Sequence, residues 1–243
     1  MPSTGIPGGV VGVDKTGSGT LTNLVFGDLY GSLWEIDPVT GASNYKNSLG
    51  VDIPLMSFSS DYHAIGAKPA IYSDGTQQYA IIVSGGYQDP ADSVWGTGVQ
   101  QYLVSVALNY PTANTSSLTE NSSATYIKNK VAFGSTTEKG YAQALVVGTQ
   151  VFFTTDTADV NVSGYGISGS SGKLYSVNLT TGASGSTVVV AGGASALAND
   201  GTSIYSGSST SIVKATTAST TAGPAVDSNQ VAKLTRSLWL RTE

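Results

Sequence analysis

The 243-residue chain contains no cysteine, a single histidine and only two arginines, and charged residues make up 11% of it. Without cysteine there are no disulfides, thiolate metal sites or sulfur nucleophiles. One histidine, His63, cannot assemble a histidine metal triad. No Gly-x-Ser-x-Gly elbow accompanies it, so it reads as a surface or hydrogen-bonding residue. Two arginines and nine scattered lysines form no basic stripe for a phosphate backbone, which argues against nucleic acid as a partner. Apolar runs stay short of the roughly 18 residues a membrane helix needs. The start, Met1-Pro-Ser-Thr-Gly5, lacks the basic-then-apolar pattern of a secretory signal. The glycine-rich stretches lack the Gly-Lys-Ser/Thr ending of a phosphate loop and read as turns.

What is present is 30 glycines, many serines and threonines, 40% hydrophobic residues and a formal net charge of -5. Glycine is unfavourable inside helices and useful where tight turns recur, so this composition fits short strands joined by many turns. Enough Val, Ile, Leu and Tyr remain to bury, which argues against disorder. A surface built from Ser, Thr, Asn, Gln and Gly hints at an extracellular or fibrous setting.

The clearest unit runs from Phe26 to Gly41. Gly27-Asp-Leu-Tyr-Gly31 turns the chain into Ser32-Leu-Trp-Glu-Ile36, whose alternation sends Leu33 and Glu35 to one face and Trp34 and Ile36 to the other. Asp37-Pro-Val-Thr-Gly41 ends that strand. The pattern returns in Gly172-Lys-Leu-Tyr-Ser-Val-Asn-Leu-Thr-Thr-Gly-Ala-Ser184, in register with Gly31 to Ser43. Gly31 and Gly172, and Trp34 and Tyr175, are thus equivalent repeat positions, and packing between repeats is the expected role of the two aromatics. Weaker copies pair Gln77–Ser84 with Gln100–Leu108 and Ser203–Ser206 with Thr210–Ala215. The expected fold is all-β: a β-propeller or partial propeller of about four irregular blade-like repeats beginning near residues 8, 67, 140 and 193. The whole of 1–243 reads as a single region, with 109–129 as a polar insertion loop in which Ala124–Lys128 pairs as an edge strand. Val231–Leu240 reads as extended. An incomplete ring exposes sheet edges, so completion by a partner chain is an expectation, with one decorated sandwich as the alternative.

Val25-Phe-Gly-Asp-Leu-Tyr-Gly-Ser-Leu-Trp-Glu-Ile-Asp37 resembles the repeat of the PilY1-type C-terminal propeller domain of type IV pilus biogenesis and tip-adhesin proteins. Gly66-Ala-Lys-Pro-Ala70, Ile81–Tyr87, Gln150–Thr155, Gly172–Val177 and Thr235-Arg-Ser-Leu-Trp-Leu-Arg241 follow in the order of that family's second half, so the resemblance covers most of the chain. Single motifs of this type also resemble quinoprotein propeller repeats. The resemblance implies a noncatalytic component of a pilus or related extracellular filament, at the cell surface. It also implies contacts with pilins, minor pilins, another propeller-forming chain or a host or surface receptor. The amino-terminal adhesive domain of many such proteins has no counterpart in these residues. The alternatives are a quinoprotein-like oxidoreductase fragment and a polysaccharide-binding propeller.

No catalytic or cofactor-binding residue is assigned. The family's calcium loop directs attention to Asp14, Thr16 and Ser18, which present oxygens at alternating positions but supply one carboxylate where calcium usually takes several. An ordinary turn is the competing reading. Asp89 with Asp92, and Asp156 with Asp159, read as solvated turn residues. Tyr30, Tyr87 and Tyr165, in or beside glycine-rich turns, are the candidate partner contacts, because rigid aromatics give interface area at modest entropy cost. Trp239 belongs with Trp34 and Tyr175 as an aromatic that could be mistaken for a stacking site.

Overall fold

The computed structural model describes residues 6–60, 63–85, 98–140, 142–157, 171–185, 187–191, 197–200, 203–207 and 212–216. They form strands and turns, with no helix among them. The first group of strands is β1 (Val11–Val13), β2 (Asn23–Gly27), β3 (Ser32–Ile36), β4 (Tyr45–Lys46), β5 (Asp52–Ile53) and β6 (Met56–Ser57). Strands β1, β2, β3 and β6 make a four-stranded sheet in that order, and β4 and β5 form a separate hairpin. The second sheet contains β7 (Ala70–Ser73), β8 (Gln78–Val83), β9 (Tyr102–Ala107) and β10 (Ile127–Ala132). The third is built from β11 (Glu138–Lys139), β12 (Leu145–Val147), β13 (Gln150–Thr157), β14 (Ser171–Asn178) and β15 (Val188–Ala191). The last is β16 (Leu197–Asn199), β17 (Ser203–Gly207) and β18 (Ile212–Thr216).

These are antiparallel meanders, each a propeller blade. They start within a few residues of the positions expected from the repeats. Three cores lie between successive blades. The first joins Val13, Val25 and Leu33 to Ile82, Val104 and Val106. In the second, Ile81, Val83 and Leu103 meet Val151, Phe153 and Tyr175. Phe152, Leu174 and Val190 meet Ile204 and Val213 in the third. Strands β8, β9 and β13 are therefore buried on both faces over nearly their whole length, whereas β2 and β3 alternate buried and partly exposed. That alternation was legible in Ser32–Ile36.

The internal repeat holds atom by atom. Asp37 accepts the Val39 and Thr40 N–H groups at 2.6 and 3.1 Å, and Asn178 accepts those of Thr180 and Thr181 at 2.9 and 3.0 Å. Gly41 and Gly182, both with positive φ, donate back to the carbonyls of residues 37 and 178. Matching bridges, Ile36 to Ser43 and Val177 to Ser184, follow. Cross-strand pairs Phe26 with Trp34 and Phe153 with Tyr175 complete the equivalence.

Four expectations need correction. Trp34, expected like Tyr175 to pack between repeats, is partly exposed and belongs to none of the three inter-blade cores, whereas Tyr175 lies in the second. The insertion loop ends sooner than 129, because Ile127 already opens β10, and the strand expected over Ala124–Lys128 lies at Ile127–Ala132. Its apolar positions, Ile127 and Val131, are separated by Lys128, Asn129 and Lys130, which concealed it in a polar stretch. Asp156 is not a solvated turn residue: it sits buried within β13, opposite Lys139 in register. Val231–Leu240 lies outside the described residues.

Candidate functional site

The turn after β2 is organised by one carboxylate. Oδ1 of Asp28 accepts the backbone N–H groups of Tyr30 and Ser32, both at 2.9 Å. Oδ2 accepts the indole N–H of Trp34 at 2.8 Å. Asp28 is 4% exposed, so these donors replace water around a buried charge. Its backbone carbonyl accepts Ile65 N–H at 2.9 Å, tying the turn to the link into the second blade. Gly31 completes the turn at φ 79°, where an added Cβ would lie 2.8 Å from the His63 carbonyl oxygen. Tyr30 is thereby held at the tip with 64% of its surface in water. Of the three tyrosines expected to contact a partner, Tyr87 and Tyr165 lie outside the described residues, so the structure places only Tyr30.

The link into the second blade carries His63, 2% exposed. Its ring stacks on Phe58 at a centroid distance of 4.4 Å, with Tyr102 at 5.8 Å. Nδ1 lies 3.1 Å from Gln101 Oε1 and Nε2 lies 3.0 Å from Ser60 Oγ. Because Ser84 Oγ also donates to Gln101 Oε1, that oxygen is an acceptor and the imidazole proton belongs on Nδ1. The order serine, histidine, amide has the form of a nucleophile relay, but its third member is a neutral glutamine. The Glu120 carboxylate accepts the N–H and hydroxyl of neighbouring Ser59. A carboxylate there opposes the negative charge that an acyl-transfer transition state develops. The arrangement fits a locked link between blades.

Burial holds His63 below its ordinary pKa, against the opposing pull of the Gln101 bond and the Glu120 charge and with Lys130 adding to the depression. The unfolded chain therefore takes up the proton first as pH falls. Stability from neutral His63 is complete above the unfolded value, about 6.5, and is lost as pH drops through the lower native pKa. The urea midpoint is expected to fall between pH 7.5 and 5.5, and His63→Gln should flatten that fall. An equal slope in both proteins would contradict the assignment.

The candidate calcium loop is folded upon itself. Asp14 Oδ1 accepts the N–H groups of Thr16 and Gly17 and the Thr16 hydroxyl, each at 2.9 Å, and Oδ2 accepts Gly19 N–H. Ser18 Oγ lies 2.9 Å from Thr16 Oγ1, within hydrogen-bond reach of it. The three sequence-selected oxygens are together, bound to one another and to the backbone. Among the described residues no cluster of three acidic or imidazole side chains is placed to hold a metal. Asp89, Asp92, Asp159 and Trp239 lie outside the described residues.

Several organising residues carried no expectation. Glu138 is fully buried and contacts Lys173, Tyr175 and Thr155. Glu35, also buried, holds Lys15 at 2.8 Å, Tyr45 at 2.9 Å and Asn44 at 3.1 Å. A second repeat could have been found in the sequence, Asp74-Gly-Thr-Gln-Gln-Tyr79 and Asp200-Gly-Thr-Ser-Ile-Tyr205. Asp74 binds the Tyr79 hydroxyl at 3.2 Å beneath Lys128, and Asp200 binds that of Tyr205 at 2.7 Å with Lys214 over the ring. The Lys128 ammonium, with hydrogen bonds from Thr76, holds the Asp74 carboxyl far below the usual carboxylate range.

Neither a protein-family model nor a curated protein sequence matches the chain. Among solved structures it is similar to the C-terminal domain of PilY1 from Pseudomonas aeruginosa, with a TM-score of 0.57 and 16% identity over 87% of this chain. The fold is that of a β-propeller. The match spans 62% of the length of that solved chain. BamB from Moraxella catarrhalis is similar at a TM-score of 0.48 and 16% identity, covering 88% of this chain and 47% of BamB.

Proposed function

We propose that the chain is a noncatalytic component of a type IV pilus or related extracellular filament, acting in tip assembly, pilus biogenesis or adhesion through protein contacts at the cell surface. The likeness of fold to the PilY1 C-terminal domain over 87% of the chain carries this reading. The sequence motifs that resemble that family, in the family's order, add to it. The partners it implies are pilins or minor pilins, another propeller-forming chain, or a surface receptor. Tyr30, presented by the Asp28 turn with its backbone already hydrogen-bonded, is the described side chain best placed for contact. A pre-ordered aromatic loses little freedom on binding.

The reading is tested by measuring binding of purified minor pilins to the full chain and to Tyr30→Ala. The expected result is measurable binding that weakens about tenfold in the variant, the scale of a typical interface anchor, with an unchanged melting temperature. No binding by either protein would contradict the reading. A quinone absorption band in freshly isolated protein would favour the oxidoreductase alternative. Glycan-array binding lost in Tyr30→Ala would favour the polysaccharide alternative.

A further inference from the structure

A carboxamide followed two residues on by a hydroxyl, Asn-x-Ser/Thr, is the acceptor triplet for N-linked oligosaccharide, and it belongs on a surface loop. The chain carries it at Asn114-Thr-Ser116, Asn121-Ser-Ser123, Asn161-Val-Ser163 and Asn178-Leu-Thr180. In a chain so rich in serine and threonine the motif alone selects nothing. Asn161 lies outside the described residues, and the surroundings of the other three differ. At Asn178 the side-chain oxygen accepts the N–H groups of Thr180 and Thr181. The intervening Leu179 is fully buried, with its N–H bonded to the Thr149 carbonyl at 2.7 Å, so this triplet is pinned inside the third blade. Asn121 is exposed, but its Nδ2 donates to Glu120 Oε1 at 2.8 Å and its Oδ1 accepts the Lys130 ammonium at 2.6 Å. The nitrogen that would take the sugar is already engaged there.

Asn114 differs on each count. It ends a turn in which its own N–H donates to the Pro111 carbonyl at 3.1 Å. Pro111, Thr112, Ala113, Thr115 and Ser116 are exposed, and Asn114 is partly so. Among the described residues none hydrogen-bonds to the Asn114 carboxamide or to the Ser116 hydroxyl. The loop is held from its flanks instead, by the Tyr110 hydroxyl on the Ser116 carbonyl at 3.2 Å and the Ser117 hydroxyl on the Pro54 carbonyl at 2.7 Å. A transferase can therefore draw Asn114 and Ser116 into its own cleft without stripping either side chain of a partner. We infer that Asn114 is the acceptor of an N-linked oligosaccharide, with Ser116 as the hydroxyl the transferase recognises. In the transfer the bond from Nδ2 to the sugar C1 forms as the bond from C1 to a lipid pyrophosphate carrier breaks. The carrier leaves with the bonding electron pair, and the Nδ2 proton passes to a base of the transferase.

The inference rests on the cell-surface part of the proposed function, because N-linked oligosaccharide is a mark of exported chains. It is separable from the contact at Tyr30. Gln101, which binds His63 beside the Tyr30 turn, precedes β9. Asn114 follows β9, beyond Asn109, whose amide donates to Gln77 at the other end of the blade. The six residues of β9 alone separate the two ends by about 20 Å.

The full chain is isolated from its native surface fraction, and its intact mass and proteolytic peptides are measured. Asn114→Gln, Ser116→Ala, Ser116→Thr and Asn121→Gln are produced in the same source, and melting curves establish that each is folded. The expected result is a mass above that of the sequence and a saccharide-bearing peptide that contains Asn114. That increment should be lost in Asn114→Gln and Ser116→Ala and kept in Ser116→Thr and Asn121→Gln.

An unmodified chain in the surface fraction overturns the inference and leaves the filament reading standing. Saccharide on Asn121 or Asn178 in place of Asn114, or on hydroxyls alone, overturns it as well. A chain found unmodified and only inside the cell removes both readings. Saccharide at Asn114 on a chain that binds no minor pilin upholds the inference and removes the filament reading.

Discussion

Replacing Glu138 by alanine is expected to destabilise the protein by about 4 kcal/mol, the range found when one partner of a buried ion pair is removed. Glu138 is fully buried, and its carboxylate is approached by the Lys173 ammonium, the Tyr175 hydroxyl and the Thr155 hydroxyl. Alanine would strand all three, including a lysine whose exposure is only partial. Burial and the Glu138 bond push the Tyr175 hydroxyl up to about 12, so it remains a donor throughout the neutral range. Its ring stacks on Phe153 at 4.8 Å, which couples the polar hub to the second inter-blade core. Urea unfolding should show a markedly lower midpoint for Glu138→Ala and a smaller loss for Glu138→Gln, which keeps an acceptor but loses the charge. A loss within about 0.5 kcal/mol, the level of an ordinary surface substitution, would mean the hub is not a structural centre.

Gly140→Val is expected to be comparably damaging, by about 3 kcal/mol or more, through overpacking. Even a bare Cβ at Gly140 would stand 2.0 Å from Val83 Cγ1, and Val83 is a short, branched, buried side chain with no room to swing aside. The close approach exists because Gly140 N–H donates to the Ser84 carbonyl at 3.0 Å, locking the end of β8 to the chain leaving β11 of the third blade. The first junction uses the same device. Ile65 N–H donates to the Asp28 carbonyl at 2.9 Å, and a Cβ on Gly27 would stand 2.2 Å from Ile65. Thermal unfolding of Gly140→Val should show a large drop in midpoint, whereas Gly75→Val, at a turn glycine with open space around it, tests backbone strain alone. Equal effects at the two positions would show that the close approach is not what Gly140 provides.

The sequence made some of this visible and concealed the rest for physical reasons. The turn at 37–41 and its copy at 178–182 were legible because an Asx side chain followed by glycine is a local device, satisfied within five residues. The faces of Ser32–Ile36 were legible because one is buried and the other is not. Strands β8 and β13, buried on both faces, carry no alternation and were recognised from β-branched and aromatic content instead. The β4–β5 hairpin escaped notice because its strands are two residues long and its tip is held by the Asn47 side chain accepting Leu49 and Val51 N–H groups. Glu138 gave no signal, since its partners lie 17, 35 and 37 residues away and only the sheet register unites them. Tyr30 was selected for its glycine-flanked turn. That Asp28 aims Tyr30 and Trp34 with one carboxylate required coordinates.

The proposed function requires that this propeller array assemble with another chain. The most direct measurement is a cryo-electron microscopy reconstruction of the particle in which this chain is recovered from its native source. The expected map contains the blades described for this chain together with density from a partner chain in contact with Tyr30. A particle containing only this 24.7 kDa chain would contradict it.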